Sequence, residues 1–446
     1  MKKTPLETWI GNRIDPGSPS PLTRTAIDAY QLRKLQETIH YVRIHSPFYR
    51  RLLNDLPETP LSGLADFRRL SFTTVTDIRN DPFKFLCVSQ DEVARVVTLQ
   101  TSGTTGQPKR LFFTESDLEL TVDFFHHGMS TLVSPGDRVL ILMPGTLPYS
   151  VGDLLVRGLS RMNVTGIVHG PVRDPEAVVQ QIIDLEIDSL VGIPVQVLGL
   201  SRIRAADRIA PGRLKSILLS ADYVPQAIVH SLTRRWHCPV YQHWGMTETG
   251  YGGAVECEAL SGYHLREADL FVEIVDPESG TPVKMGDTGE VVITTLTRKA
   301  MPLVRYRTGD SARFIPEPCP CGTVLHRLDW IQGRLEGTVL LDDNIPLSVP
   351  MLDNVVFAVP GVINYEVRLD RSGPKNRLLL SVYPAASATA TLSAEVRHAV
   401  RTLPGFRAGI DQGYLEVEVT LRQDMPEVSS GPLKRTITLT GMPLTR

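Results

Sequence analysis

Cysteine is scarce in this chain. Five thiols among 446 residues are too few for a disulfide framework, which leaves free thiols or a metal site in a reducing compartment. Long apolar runs are missing as well: no stretch approaches the about 20 residues of a membrane span. Met1–Pro16 carries lysines without an apolar core behind them, so no signal peptide is expected. Charge of one sign is also absent. Lys plus Arg number 47 against 49 Asp plus Glu, a net charge of -2, which argues against general nucleic-acid binding and against a basic membrane-surface protein. HExxH, GxSxG, the Walker loop and the dinucleotide GxGxxG are not found. What remains is 42% apolar and 22% charged residues, the mix of a globular protein with ample core. The expectation is a soluble, cytoplasmic protein, with a length that suggests about three domain-sized units or one large α/β body.

Helical and strand signals alternate along most of the chain. Ile27, Leu35, Ile39 and Val42 recur at helical spacing up to Pro47. Strands are expected at 93–99, 111–113, 139–143, 190–193, 214–219 and 239–243. Helices between them open on Thr114-Glu115-Ser116-Asp117, a capping box, and on Asp174-Pro175, an N-cap with Pro at the first helical position. Short apolar strands alternating with helices predict a doubly wound sheet. After Cys257 the pattern turns β-rich, with strands expected at 271–275, 289–296 and 303–306. Beyond Arg334 a compact α+β unit follows, with strands at 364–369, 378–382 and 415–421 and a helix over 391–403. The fold class is therefore α/β. Residues 1–332 form a large N-terminal domain of doubly wound mixed sheets, with a β-rich subdomain at about 257–332. Residues 333–446 form a small, mobile α+β domain.

The densest chemical signal is Thr101-Ser102-Gly103-Thr104-Thr105-Gly106-Gln107-Pro108-Lys109. Between two strands, such a loop offers backbone N–H groups, hydroxyls and one ammonium to an anion, although a polar surface turn has a similar composition. The loop resembles the phosphate-binding loop of the acyl-adenylate-forming superfamily, and other segments resemble it in the same order. His243-Trp244-Gly245-Met246-Thr247-Glu248 is similar to the superfamily's aromatic-Gly-x-Thr-Glu motif, and Gly289-Glu290 to its Gly-Glu strand. Arg305-Tyr306-Arg307-Thr308-Gly309-Asp310 resembles its Tyr-Arg-Thr-Gly-Asp motif, and Gly333-Arg334 its hinge. His45-Ser46-Pro47-Phe48-Tyr49-Arg50 and Leu70-Ser71-Phe72-Thr73-Thr74 point to the phenylacetate–CoA ligase-like branch.

The resemblance implies an ATP-dependent carboxylate–CoA ligase. A carboxylate attacks the α-phosphate of ATP and expels pyrophosphate, then the thiol of CoA captures the acyl-adenylate and AMP leaves. It implies that Thr101, Ser102, Gly103, Thr104, Thr105, Gly106 and Lys109 cover the β- and γ-phosphates and that Thr247 bonds the α-phosphate. Glu248 would hold Mg²⁺, a hard cation suited to carboxylate oxygen. Trp244, Gly245 and Met246 would line the nucleotide, Asp310 would accept both ribose hydroxyls, and Arg334 would reach ribose or phosphate from the hinge. The acid is expected to be an aryl or short acyl carboxylate, from Tyr149 and Met246. By analogy the chain would be a homodimer, with no nucleic-acid or membrane partner.

Three features depart from the family pattern. Glu336 stands where the hinge usually has Asp, and Leu341-Asp342-Asp343-Asn344 replaces a basic Arg-Gly loop. Pro432 occupies the aligned position of the catalytic Lys, with Lys434 two residues on as its substitute or as an ordinary exposed lysine. These departures keep two alternatives open: an adenylating enzyme that serves an amine or carrier-protein acceptor, and a non-catalytic nucleotide-binding relative. Finally, Cys257, His264, Cys319 and Cys321 form a Cys3His set suited to a structural zinc, or else free thiols beside a histidine. The resemblance implies zinc at this place, since members of this branch can carry one.

Overall fold

The computed structural model describes residues 1–17, 20–54, 63–99, 108–341, 345–386, 388–422 and 435–441. The chain divides into two compact units. The first comprises Met1–Asp137, Pro144–Val168 and Tyr241–Ile331; the second comprises Arg138–Met143, His169–Val240 and Gln332–Arg446. Both mix helices and sheets, so the architecture is α/β with several mixed sheets. Among the described residues no helix is long and apolar enough to cross a membrane.

The first unit holds the helices Arg24–His45 and Glu115–Met129. The second of these begins as the sequence predicts. Thr114 Oγ1 accepts from the Asp117 N–H and the Asp117 carboxylate accepts from the Thr114 N–H, so two otherwise orphaned donors are met. Its strands are antiparallel. Arg95–Leu99 pairs with Lys109–Phe113, ending at Leu99 opposite Lys109, which places Lys109 at the end of the hairpin where the chain crosses from one strand to the other. Leu270–Val275, Gly289–Thr295 and Tyr306–Ala312 form one ladder. Ala254–Glu256 runs between His243-Trp244 and Tyr263–Leu265, with Arg327–Leu328 and Phe314–Ile315 beyond.

One expected strand is displaced. The run 303–306 reads as a strand from its apolar residues, yet the ladder starts only at Tyr306. Leu303 and Val304 are fully buried, but Arg305 sits at φ +47°, outside the extended region. Its guanidinium is drawn inward onto Glu273, at 3.1 and 3.2 Å, and onto the Leu70 carbonyl at 2.7 Å. Burial here comes from a charge-paired turn rather than from a pleat.

The second unit carries the parallel strands Arg138–Leu142, Ser189–Gly192 and Ser216–Leu219. They are buried almost throughout, as strands covered on both faces are. The helix Pro175–Asp184 starts on Asp174, whose carboxylate accepts from the N–H groups of Glu176 and Ala177. Toward the C-terminus, Leu415–Leu421, Asn376–Pro384, Val362–Asp370 and Ile437–Thr440 form a four-stranded sheet in that order. Arg202 ties this part to the rest of its unit, donating to the carbonyls of Phe357, Val359 and Val362. The chain resumes at Arg435, whose guanidinium grips both oxygens of the fully buried Asp353 while the Tyr365 hydroxyl donates to Oδ1 at 2.6 Å.

Candidate active site

Several of the residues singled out by sequence meet in the first unit. Val240–Trp244 delivers Trp244 into the core at 5% exposure, and Tyr306–Ala312 delivers Asp310 at 6%. An indole N–H needs an acceptor when buried. The Trp244 Nε1–H donates to Asp310 Oδ2 at 3.0 Å. The aromatic of one motif and the carboxylate of another are thus a single hydrogen-bonded pair, sixty-six residues apart in sequence.

Just past Trp244 the chain turns through Thr247–Thr249. Thr249 closes that turn on itself, its hydroxyl accepting from the Met246 N–H at 3.1 Å. This puts Glu248 inside at 3% exposure while Gly245, Met246 and Thr247 stay half-buried. Glu248 Oε1 takes a salt bridge from the Lys109 ammonium and a 2.9 Å hydrogen bond from the Tyr306 hydroxyl. Burial opposes ionisation of this carboxyl, but the Lys109 charge and the two hydrogen bonds outweigh it and hold the group below its ordinary range. Tyr306 has no assigned role in the sequence reading. The signal was its place inside the Arg-Tyr-Arg-Thr run, where alternate residues of a strand share one face, so that Tyr306, Thr308 and Asp310 are buried together. Within this strand Thr308 donates to the Val291 carbonyl at 2.7 Å, and the intervening Arg307 pairs with Glu290.

The remaining residues fall elsewhere. Thr101, Ser102, Gly103, Thr104, Thr105, Gly106 and Lys434 lie outside the described residues, as does Pro432. Arg334 belongs to the second unit and is exposed there. Tyr149 is half-buried and its hydroxyl donates to Glu115 at 2.9 Å.

A second cluster is fully buried in the same unit. Cys257, His264, Cys319 and Cys321 bring their ligand atoms within 4.8 Å of one another. Cys319-Pro320-Cys321-Gly322 closes as a tight turn: the Gly322 N–H donates to the Cys319 carbonyl at 2.9 Å, with Gly322 at φ +78°. Glu7 braces the exit from that turn, accepting from the Thr323 hydroxyl and the Val324 N–H. A tetrahedral ion with bonds of about 2.3 Å to sulfur and about 2.0–2.1 Å to nitrogen has S···S edges near ~3.8 Å and S···N edges near ~3.6 Å. Cys257 Sγ to Cys319 Sγ is 3.7 Å and Cys321 Sγ to His264 Nε2 is 3.6 Å. The donor set and these two edges fit zinc, and the widest pair needs only a modest contraction. By contrast, Cys87 and Cys238 are buried thiols outside the cluster, whose pKa burial pushes up to about 12.

Known proteins place this arrangement. The AMP-binding enzyme family matches residues 69–297, just over half of the chain. A phenylacetate–coenzyme A ligase of Thermus thermophilus is 29% identical, the match covering 94% of this chain and 98% of that protein. The phenylacetate–coenzyme A ligase of Escherichia coli is 27% identical over 87% of this chain and 92% of its own. The fold is shared with a 2-hydroxyisobutyryl-CoA ligase in its post-adenylation state, at a TM-score of 0.80 and 21% identity, covering 94% of this chain and 90% of that one. From its family match and its near full-length likeness to these ligases, the chain belongs to the AMP-binding enzyme family, in the phenylacetate–CoA ligase-like branch of the AMP-forming acid–thiol ligases.

Proposed function

We propose that this enzyme is an ATP-dependent carboxylate–CoA ligase acting on an aryl or short acyl acid. A carboxylate oxygen attacks the α-phosphorus of ATP and the bond to pyrophosphate breaks; the CoA sulfur then attacks the acyl carbon and AMP departs. The observation that carries the reading is the pairing of Trp244 with Asp310, one motif step from the Lys109–Glu248–Tyr306 cluster. Asp310 is an acceptor for a ribose diol, and Trp244 fixes its orientation while offering an aromatic wall to adenine. Glu248, held ionised by Lys109 and Tyr306, is the ligand for Mg²⁺, which when bound neutralises phosphate charge. Thr101–Gly106 and Lys109 hold the β- and γ-phosphates, Thr247 the α-phosphate, and Arg334 the nucleotide from the hinge. Residues 333–446 act as the mobile domain, with Lys434 as its catalytic cation. The Cys257, His264, Cys319 and Cys321 set holds a structural zinc: all four positions are protein ligands, so none is open to water.

Pro432 at the expected lysine position, together with the acidic 341–344 segment, supports a second reading in which an amine or a carrier-protein thiol replaces CoA. Pyrophosphate–ATP exchange with a panel of carboxylic acids tests the first half-reaction, and AMP release with and without CoA tests the second. Exchange that needs an acid and AMP release that needs CoA are expected. Exchange without CoA-dependent turnover selects the other acceptor, and no exchange with any acid leaves a nucleotide-binding protein.

A further inference from the structure

Among the described residues, the fully buried arginines have partners. Arg266 pairs with Asp269, Arg305 with Glu273 and Arg435 with Asp353. Arg202 and Arg327 carry no carboxylate but donate to backbone carbonyls. Arg298 has neither. Its residue is half-buried, while Nη1 is shut off from water without a hydrogen-bond partner, and among the described residues no carboxylate forms an ion pair with it. The guanidinium lies over the Phe113 ring, 4.9 Å from its centroid. Tyr251 stacks on the same ring at 5.7 Å.

The charged groups facing Arg298 are Asp117, Arg266 and Glu248, with the Tyr251 phenol beside them. Burial pulls the guanidinium down to about 10, Asp117 and Glu248 pull it up, and it stays charged at neutral pH. Asp117 is engaged by the N–H groups of Thr114, Lys299 and Ala300, and it forms no ion pair with Arg298 among the described residues. Glu248 Oε1 is spent on Lys109 and Tyr306. Space has been left for this cation: a Cβ on Gly250, which sits at φ +74°, would come within 2.9 Å of Arg298 Nη2.

An unpaired buried charge is costly, so its retention points to an anion that arrives later. We propose that Arg298 binds the pyrophosphate end of ATP and the pyrophosphate released from it. A polyphosphate suits this cation better than the acid substrate does. It stands on the Glu248 and Lys109 side of the site, where several negative charges must be balanced, and its planar fork matches phosphate oxygens. The inference rests on the adenylating reading given above.

The test uses Arg298→Gln and Arg298→Met in the full-length enzyme. Magnesium pyrophosphate and AMP are titrated separately by calorimetry, and pyrophosphate–ATP exchange and thermal melting are measured alongside. Pyrophosphate affinity is expected to fall about 10- to 100-fold, the range of lost charge-assisted hydrogen bonds, while AMP affinity holds. Arg298→Met should melt at the same temperature as the ligand-free parent or higher, since it removes an uncompensated charge; a merely structural arginine would give a lower melting point. Unchanged pyrophosphate affinity in both variants, or equal losses for pyrophosphate and AMP, overturns the assignment. If the parent shows no exchange, the adenylating reading fails, and pyrophosphate binding still decides for or against Arg298.

Discussion

Replacing Cys319 by serine is expected to strip a zinc ion from the first unit and to lower its melting temperature by about 8–16 °C. The magnitude follows from the cluster's position and from linkage. Cys257 follows the strand Ala254–Glu256 and His264 lies on its partner strand Tyr263–Leu265, while Cys319 and Cys321 sit on a turn some fifty-five or more residues later, so one ion would cross-link two distant parts of the unit. Serine's hydroxyl is a poor replacement for a thiolate, so the fourth ligand is lost. An ion that binds only the folded state at a free concentration of about 1,000 Kd contributes about 4 kcal/mol. In a unit of this size each kcal/mol moves the melting temperature by about 2–4 °C. The assay is metal analysis of the purified protein, then thermal melts of the parent, Cys319→Ser and Cys238→Ser, each with and without a chelator. Near-stoichiometric zinc is expected in the parent and in Cys238→Ser, whose thiol lies outside the cluster, and not in Cys319→Ser. Exchange per folded molecule should be similar in all three. A parent free of metal, or a Cys319→Ser protein that melts like the parent with and without chelator, refutes the reasoning.

Glu248→Gln should cut pyrophosphate–ATP exchange far more than it weakens binding of the acid, because only the charge has been removed. Since Lys109 and Tyr306 hold Glu248 below its ordinary value of 4.5, its ion pair contributes stability above that pH and loses it as the pH falls further. Acid titration of the parent should accordingly show no exchange inflection from this group between about pH 5 and pH 8. Asp310→Ala should weaken ATP and AMP about 10- to 100-fold by calorimetry, the loss of charge-assisted hydrogen bonds, with circular dichroism unchanged; undiminished AMP binding would count against its role.

Local signals were the legible ones. The N-caps at Thr114 and Asp174, the parallel strands of the second unit and the Trp244 and Asp310 motif positions were readable because each depends on residues close in sequence or on a motif of fixed spacing. Leu303 and Val304 misled because burial alone does not distinguish a strand from a turn that an ion pair pulls inward. Tyr306 had only its alternation with Thr308 and Asp310 as a local signature, and Arg298 had none. The first is recognisable only once Glu248, fifty-eight residues away, is placed against it. The second stands out only once its surroundings prove to lack an acceptor. Charges acquire meaning from what the fold puts beside them, and spacing along the chain does not carry that information.

The same consideration bears on the C-terminal lysine. In relatives a Lys follows the Gly of this motif, and here Pro432 supplies neither charge nor an N–H donor. Arg435, covalently next to Lys434, is fixed by its two-pronged grip on Asp353 and lies over the rings of Phe357 and Tyr365 at 4.8 and 5.4 Å. That grip gives the chain a firm footing one residue beyond Lys434. A catalytic cation acts electrostatically in the transition state, and Lys434 is the one proposed for that role. Lys434→Ala is expected to slow exchange by at least ~100-fold, about 2.7 kcal/mol of barrier, with ATP binding retained. Adding Pro432→Lys to that variant should recover part of the loss by restoring a cation two residues earlier. If Lys434→Ala exchanges at the parental rate, Lys434 is an ordinary surface lysine and the positive charge for adenylation comes from elsewhere in the enzyme.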